Sequence, residues 1–295
     1  MKNRNLQVAK DDENDEFYTL YSDIERELVN YKDQLVGKTV YCNCDNPEFS
    51  EFWKYFCNEF SSLRLQKVIG SYLQGSVVTR YDGYDYTYQY ITNGSFDSPE
   101  CIEILKEADI IVTNPPFSKF RDYVGLLIQY SKDFLILGNQ NAITYKEIYP
   151  LIQRQQVRLG VSNGTMSFLV PDSFERGNTF VQDGKKYAKF GNICWYTTLE
   201  HGFVKELNLT RHYDSSLYKR YDNYDAIDVP RVADIPIDYY EPMGVPVTIL
   251  HGFDYDKFEL LGNLGSYGID GFSLAAAIYI ENKKIFKRIL IRRKE

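Results

Sequence analysis

Cysteine, histidine and tryptophan are scarce in this sequence, at five, three and two residues out of 295. Cys42, Cys44, Cys57, Cys101 and Cys194 form an odd set without a Cys-x-x-Cys pair, which argues against a disulfide framework and against a zinc ribbon. His201, His212 and His251 are scattered and none lies near Cys42 and Cys44, so no metal site is expected and the cysteines read as small core thiols. No apolar run reaches the roughly 18 residues a membrane helix needs, and Met1 to Glu16 is polar and acidic, without the apolar centre of a signal peptide. The expectation is a soluble, cytoplasmic protein with no membrane partner.

The chain does have core material: 44% of its residues are hydrophobic and 16% aromatic. That is too much for disorder. The net charge is -7, which at first speaks against a nucleic-acid partner. Its distribution removes the objection. Residues 1–60 hold 13 acids and 7 bases, leaving 28 acids and 27 bases in the remainder. The last stretch, with Lys283, Lys284, Lys287, Arg288, Arg292, Arg293 and Lys294, is basic and permits phosphate contact. Its alternation with Ile285, Phe286, Ile289, Leu290 and Ile291 also resembles a strand whose lysines guard a sheet edge.

From Thr39 onward, short β-prone runs alternate with helical stretches, as in βαβ units around a parallel sheet. Strands are expected at Thr39 to Cys44, Gln66 to Ser71, Ala108 to Thr113 and Phe134 to Leu137. Asp82-Gly83 supplies a hairpin turn between Val77 to Tyr81 and Tyr84 to Ile91. Ser98 reads as a helix N-cap, with Pro99 at the first helical position and the helix running to Glu107. Another helix is expected from Lys119 to Tyr130. After Val157 the pattern turns β-rich, and near His201 a Tyr/Asp-rich, proline-punctuated stretch begins. The division expected is a catalytic domain over 1–200 and an appended region over 201–295.

The segment that carries chemistry is Asp109 to Phe117, a buried strand ending in Asn114-Pro115-Pro116-Phe117. The carboxyl edge of an open α/β sheet is where ligands bind. Each proline fixes φ and removes an N–H, so the carbonyls of this turn face outward without competing donors. A planar exocyclic amine such as adenine N6 is a poor nucleophile because its lone pair is delocalised. Two acceptors, the Asn114 side-chain oxygen and the Pro115 carbonyl, would hold its N–H bonds and free that lone pair. Phe117 would stack on the ring. Such turns serve methylation of adenine N6, of guanine N2 in RNA and of glutamine side chains, and the motif alone does not choose among them. A rigid turn before a helix is the plainer alternative.

The stretches Asp15-Glu-Phe-Tyr-Thr19, Val40-Tyr-Cys-Asn-Cys-Asp45, Ser98-Pro-Glu-Cys-Ile-Glu103, Asn114-Pro-Pro-Phe117, Gly138-Asn-Gln-Asn141, Phe190-Gly-Asn-Ile-Cys-Trp-Tyr-Thr197, Tyr221-Asp-Asn-Tyr224, Met243-Gly-Val-Pro246 and Arg288-Ile-Leu-Ile-Arg292 follow one another in order across nearly the whole chain. Together they resemble the EcoRI-type adenine-specific DNA methyltransferases. The resemblance implies a Rossmann-like S-adenosylmethionine-dependent sheet with a β-rich C-terminal target-recognition region, in the gamma order of motifs. Phe17, Tyr18 and Thr19 would close over the methionine part of the cofactor. Asn43, Cys44, Asp45 and Pro47 correspond to the cofactor loop, which here contains no glycine, so side chains must contribute more, with Asp45 first in line for the ammonium. Asn93-Gly-Ser-Phe-Asp97 would meet the cofactor adenine. Ser95 stands where the family more usually has Asp, leaving Ser95 or Asp97 for that contact and Phe96 for packing.

Trp195 and Tyr196 fall in a matching strand, where one of them could face the target base opposite Phe117 or both could belong to the core. Tyr84, Tyr86, Tyr88 and Tyr90 share one strand face, either packed or lining nucleic acid. Lys119, Arg121, Lys185, Lys186 and Lys189 are candidates for phosphate contacts. The function expected is transfer of methyl from S-adenosylmethionine to adenine N6 in duplex DNA by base flipping. A monomer is expected, within a modification or restriction-modification system whose cognate endonuclease it need not touch. The alternatives are an RNA or protein amino-methyltransferase, or a regulator that binds cofactor and DNA without catalysis.

Overall fold

The computed structural model describes residues 17–44, 46–73, 75–175, 177–265, 273–275 and 277–295. The chain divides into two compact units. The first takes the described residues up to Gln140 together with Gly160–His201, and the second takes Asn141–Leu159 and Gly202–Glu295. Residues 141–159 therefore group with the C-terminal part, whereas the sequence reading kept them with the N-terminal part.

The strands that build the first unit's sheet are β1 (Tyr18–Thr19), β2 (Thr39–Cys42), β3 (Lys67–Gly70), β4 (Val77–Tyr81), β5 (Tyr86–Tyr90), β6 (Ile110–Thr113), β7 (Asp133–Asn139), β8 (Arg158–Leu169, whose residues from Gly160 onward belong to this unit), β9 (Asn178–Gln182) and β10 (Lys185–Thr197). The helices used below are α1 (Tyr21–Leu28), α2 (Glu51–Asn58), α3 (Pro99–Glu107) and α4 (Phe120–Gln129). Over the described residues the sheet has ten strands in the order β1-β8-β10-β7-β6-β2-β3-β4-β5, with β9 paired to β10. Its centre, β3-β2-β6-β7, is parallel, and β4, β5 and β10 run antiparallel to their neighbours. This is an α/β fold with a large mixed sheet.

Central strands buried on both faces need near-continuous apolar runs, and these strands have them between polar ends. Val40, Cys42, Val68, Ile110, Val112, Leu135 and Leu137 join one core cluster with Ile24 and Leu28 of α1 and Phe52, Trp53, Tyr55 and Phe56 of α2. The alternate residues Tyr41, Ile69, Ile111 and Ile136 are equally buried. Helix starts follow local chemistry. Ser50 caps α2 by accepting from the Trp53 N–H at 3.2 Å, and Ser98 caps α3 by accepting from the Cys101 N–H at 3.1 Å, with Pro99 in the first turn as expected.

Several expectations are corrected. Strand β2 stops at Cys42, so Asn43 and Cys44 lie in the loop beyond it. A short 3-10 turn, Phe117–Lys119, precedes α4. The tyrosine face of the β4–β5 hairpin is not packed. Tyr84, Tyr88 and Tyr90 are 91%, 65% and 82% exposed, because β5 is a sheet edge, and Tyr86 alone stacks, on Tyr81 at 4.8 Å.

The second unit contains β11 (Ile227–Asp228), β12 (Met243–Val245), β13 (Phe258–Leu264), β14 (Ser273–Ala275), β15 (Tyr279–Ile280), β16 (Lys283–Lys284) and β17 (Arg288–Arg293). Its five-stranded sheet has the order β11-β12-β17-β13-β14. The basic C-terminal strand is therefore central rather than a guarded edge. Its consecutive Ile289, Leu290 and Ile291 are buried, and Arg288 is held by Asp228 at 2.9 Å.

Among the described residues no helix is long and apolar enough to cross a membrane, and no cluster of His, Cys, Asp and Glu is arranged to hold a metal. Burial pushes the Cys57 and Cys194 thiols up to about 12, so both are protonated, unreactive packing groups at neutral pH.

Candidate active site

The parallel strands create the site. From β2 the chain crosses to β3 on one side, and from β6 it crosses to β7 on the other, while β2 and β6 are themselves neighbours. The crossovers thus diverge between β2 and β6, a switch point at whose carboxyl ends open α/β sheets bind ligands. Asn43 follows β2 and Asn114 follows β6, so an amide side chain stands on each side of the switch point.

Asn114 is buried, and its Nδ2 donates to the Phe17 carbonyl at 2.7 Å. A backbone carbonyl only accepts, so this bond settles which amide atom is which. Oδ1 is left shielded from solvent with no hydrogen-bond partner. Among the described residues nothing donates to the Pro115 carbonyl either. The turn therefore presents two oxygen acceptors without donors, an arrangement that costs free energy unless a ligand repays it. Phe117 is half-buried against the core, and the exposed Lys119 and Arg121 flank the turn.

Phe17, Tyr18 and Thr19 are drawn to the same region. Strand β1 pairs antiparallel with β8, placing Tyr18 opposite Leu169 and Thr19 opposite Phe168. Tyr18 and Thr19 line a cavity of about 270 Å³ with Phe49, Glu51, Lys185 and Tyr187. Asn114 does not line that cavity.

On the other side of the switch point, Asn43 Oδ1 accepts from the Tyr123 hydroxyl and, at 3.6 Å, from the Cys44 thiol. Burial holds the Tyr123 phenol well above its ordinary pKa, so it stays protonated and keeps its hydrogen to donate. Its ring meets Phe96 edge-on at 4.9 Å. Ser95 donates its hydroxyl to Asp97, and its N–H donates to Asn93 Oδ1 at 2.9 Å. Asp97 is exposed and Pro47 half-buried. A Cβ on Gly94 would sit 2.1 Å from the Tyr72 carbonyl, so the loops after β3 and β5 touch backbone to backbone there. Asp45 lies outside the described residues.

Trp195 and Tyr196 are fully buried near the end of β10, Trp195 against Phe52 on one face and Tyr196 against Phe120 on the other, and the Tyr196 hydroxyl donates at 2.8 Å to the carbonyl of Asn139, the last residue of β7. They belong to the core. Lys186 donates to the Asp172 carbonyl, and Lys189 lies over the Phe180 ring, while Lys185 is exposed. Tyr123 is the residue that sequence reasoning missed. Its only signal is a place three residues after Phe120 on the buried face of α4, which says nothing of its reach to Asn43.

A switch point flanked by two polarised amides, one of them in an Asn-Pro-Pro-Phe turn, on a large mixed α/β sheet is consistent with a methyltransferase fold. The profile of the family described as adenine-specific methyltransferase EcoRI matches residues 5–91 and 85–294. The chain is 41% identical to the type II methyltransferase M.EcoRI of Escherichia coli, covering 99% of this chain and 97% of that protein. It is 38% identical to M.MgeORF184P of Mycoplasma genitalium and to M.MpnI of Mycoplasma pneumoniae, over 88% of this chain and 86% and 85% of theirs. No solved structure matches. The chain belongs to the EcoRI family of adenine-specific DNA methyltransferases.

Proposed function

We propose that this protein transfers a methyl group from S-adenosylmethionine to N6 of adenine in duplex DNA, as the modification partner of a restriction system. The observation that carries this reading is the unpaired Asn114 Oδ1, its identity fixed by the Phe17 carbonyl, beside an acceptor carbonyl at Pro115.

The residues at the switch point fit such a cofactor. Asn43 offers a donor at the end of β2, and Ser95, Phe96 and Asp97 cluster beside it through Tyr123. When bound, S-adenosylmethionine supplies an electrophilic methyl on a sulfonium centre. The chain supplies the rest. Asn114 Oδ1 and the Pro115 carbonyl accept the two N–H bonds of the target amine and turn its lone pair out of conjugation. Pro115 and Pro116 keep competing N–H donors out of the turn. The amine becomes acidic only after transfer, so its proton leaves to solvent and no ionised base is required. Because Oδ1 is shielded, the incoming base must displace what covers it, and Phe117 offers a ring face to receive it.

N6 is inaccessible inside a base pair, so the base must leave the stack at a cost of about a few kcal/mol. Lys119 and Arg121, exposed beside the turn, and the second unit are the parts we assign to holding DNA while this happens. The test is digestion and nucleoside mass spectrometry of duplex DNA, RNA and protein after incubation with methyl-labelled cofactor. N6-methyladenine in duplex DNA supports the proposal. Label only in RNA or protein assigns the turn to another amine, and cofactor binding without transfer to any acceptor makes the protein a regulator.

A further inference from the structure

Asn43 and Asn114 are polarised in opposite senses. Asn114 has its nitrogen fixed and its oxygen unpaired. Asn43 has its oxygen held by the Tyr123 hydroxyl and the Cys44 thiol, while its Nδ2 has no partner among the described residues. An isolated amide rotates between its two orientations at little cost, so its polarity is set by what holds it. Both groups are placed as donors to Asn43 Oδ1, and the Cys44 thiol is the weaker donor, which leaves the Tyr123 hydroxyl as the stronger of the two constraints.

Tyr123 is well placed to fix that polarity. It is fully buried on α4, the helix that follows the catalytic turn, and its ring edge meets Phe96 in the loop after β5. One side chain thus contacts two separate loops at the carboxyl edge and is carried on the element launched by the third. We infer that Tyr123 is a positioning residue: it locks the Asn43 amide so that Nδ2 is offered at the switch point as a donor to an oxygen or ring-nitrogen acceptor of the nucleoside cofactor. This rests on the S-adenosylmethionine reading above. Without the phenol, the amide turns freely and presents its oxygen for part of the time, repelling the same acceptor.

The test is calorimetry of wild type, Tyr123→Phe, Asn43→Ala and the double variant with S-adenosylmethionine and with S-adenosylhomocysteine. Tyr123→Phe keeps the ring and its packing, so the melting temperature should hold nearly constant. Cofactor Kd should rise about three- to tenfold, the worth of one hydrogen bond, with kcat at saturating cofactor and KM for DNA unchanged. In the Asn43→Ala background, Tyr123→Phe should add nothing to Kd. Asn43→Asp, which keeps an acceptor for Tyr123 but removes the donor, should weaken the cofactor by itself and serves as the readout if Tyr123→Phe does not fold. An unchanged Kd in Tyr123→Phe, full additivity in the double variant, or an unchanged Kd in Asn43→Asp would overturn the inference. If wild type binds neither probe, the cofactor reading fails instead.

Discussion

Asn114 Nδ2 and the Phe17 carbonyl oxygen lie 2.7 Å apart, joining residues 97 positions apart in the chain. The bond ties the start of the described chain to the Asn-Pro-Pro-Phe turn and decides that the turn offers an oxygen and not an N–H. Asn114→Asp preserves shape but sets a carboxylate oxygen against the Phe17 carbonyl. The rate should fall about 10²- to 10³-fold, as when one preorganised hydrogen-bonding group is lost. Raising pH should not restore it, because no general base is in use. A pH–rate profile of the variant checks both points.

Glu27 tests a buried carboxylate outside the chemistry. It is fully buried and accepts from the Tyr31 hydroxyl at 2.8 Å, the Val161 N–H at 2.8 Å, the Ser162 N–H at 2.7 Å and the Ser162 hydroxyl. Glu27→Gln turns an NH2 group against these donors. Urea unfolding should show a loss of about 1–3 kcal/mol, with activity per folded molecule unchanged.

Trp195→Ala should cost about 3–5 kcal/mol of stability, as expected for emptying a core site of that size. Discrimination between adenine and other bases should not change in the protein that remains folded. A large rise in KM for DNA at constant stability would return Trp195 to the target site.

The carboxyl of Glu100 is held below its ordinary value of 4.5 by hydrogen bonds from the Thr92 hydroxyl and from the Thr92 and Asn93 N–H groups. A lowered folded-state pKa contributes stability that is fully present above the unfolded value and is lost as pH falls through the folded one. Glu100→Gln should therefore flatten the acid limb of a melting-temperature profile below about pH 4.5 and leave the neutral range with a constant deficit.

How much of this was legible in the sequence depends on the range of the interaction. The cap at Ser98 and the hairpin at Asp82-Gly83 are local, and a window of a few residues contains their cause. The Asn-Pro-Pro-Phe turn was legible as a rigid corner presenting acceptors because prolines constrain the backbone by themselves. Pairings that cross the sheet were not. That Tyr123 reaches Asn43, that Phe17 orients Asn114, and that Trp195 points at Phe52 all follow from strand order. The exposed tyrosines of β5 show the same limit. Alternation gave them a common face but could not say that nothing would cover it, because an edge position is a property of the whole sheet. The basic C-terminal strand failed in the opposite direction, since its charged flanks suggested an edge while Ile289 to Ile291 place it at the centre.

The most direct measurement is single-turnover methylation of duplex DNA by Asn114→Ala beside wild type, with N6-methyladenine read by mass spectrometry and cofactor affinity by calorimetry. Wild type should form N6-methyladenine, and the variant should bind the cofactor within about twofold of wild type yet form product at least about 10²-fold more slowly. A variant that keeps most of the wild-type rate would contradict the assignment of the Asn114 oxygen as the acceptor that frees the target amine.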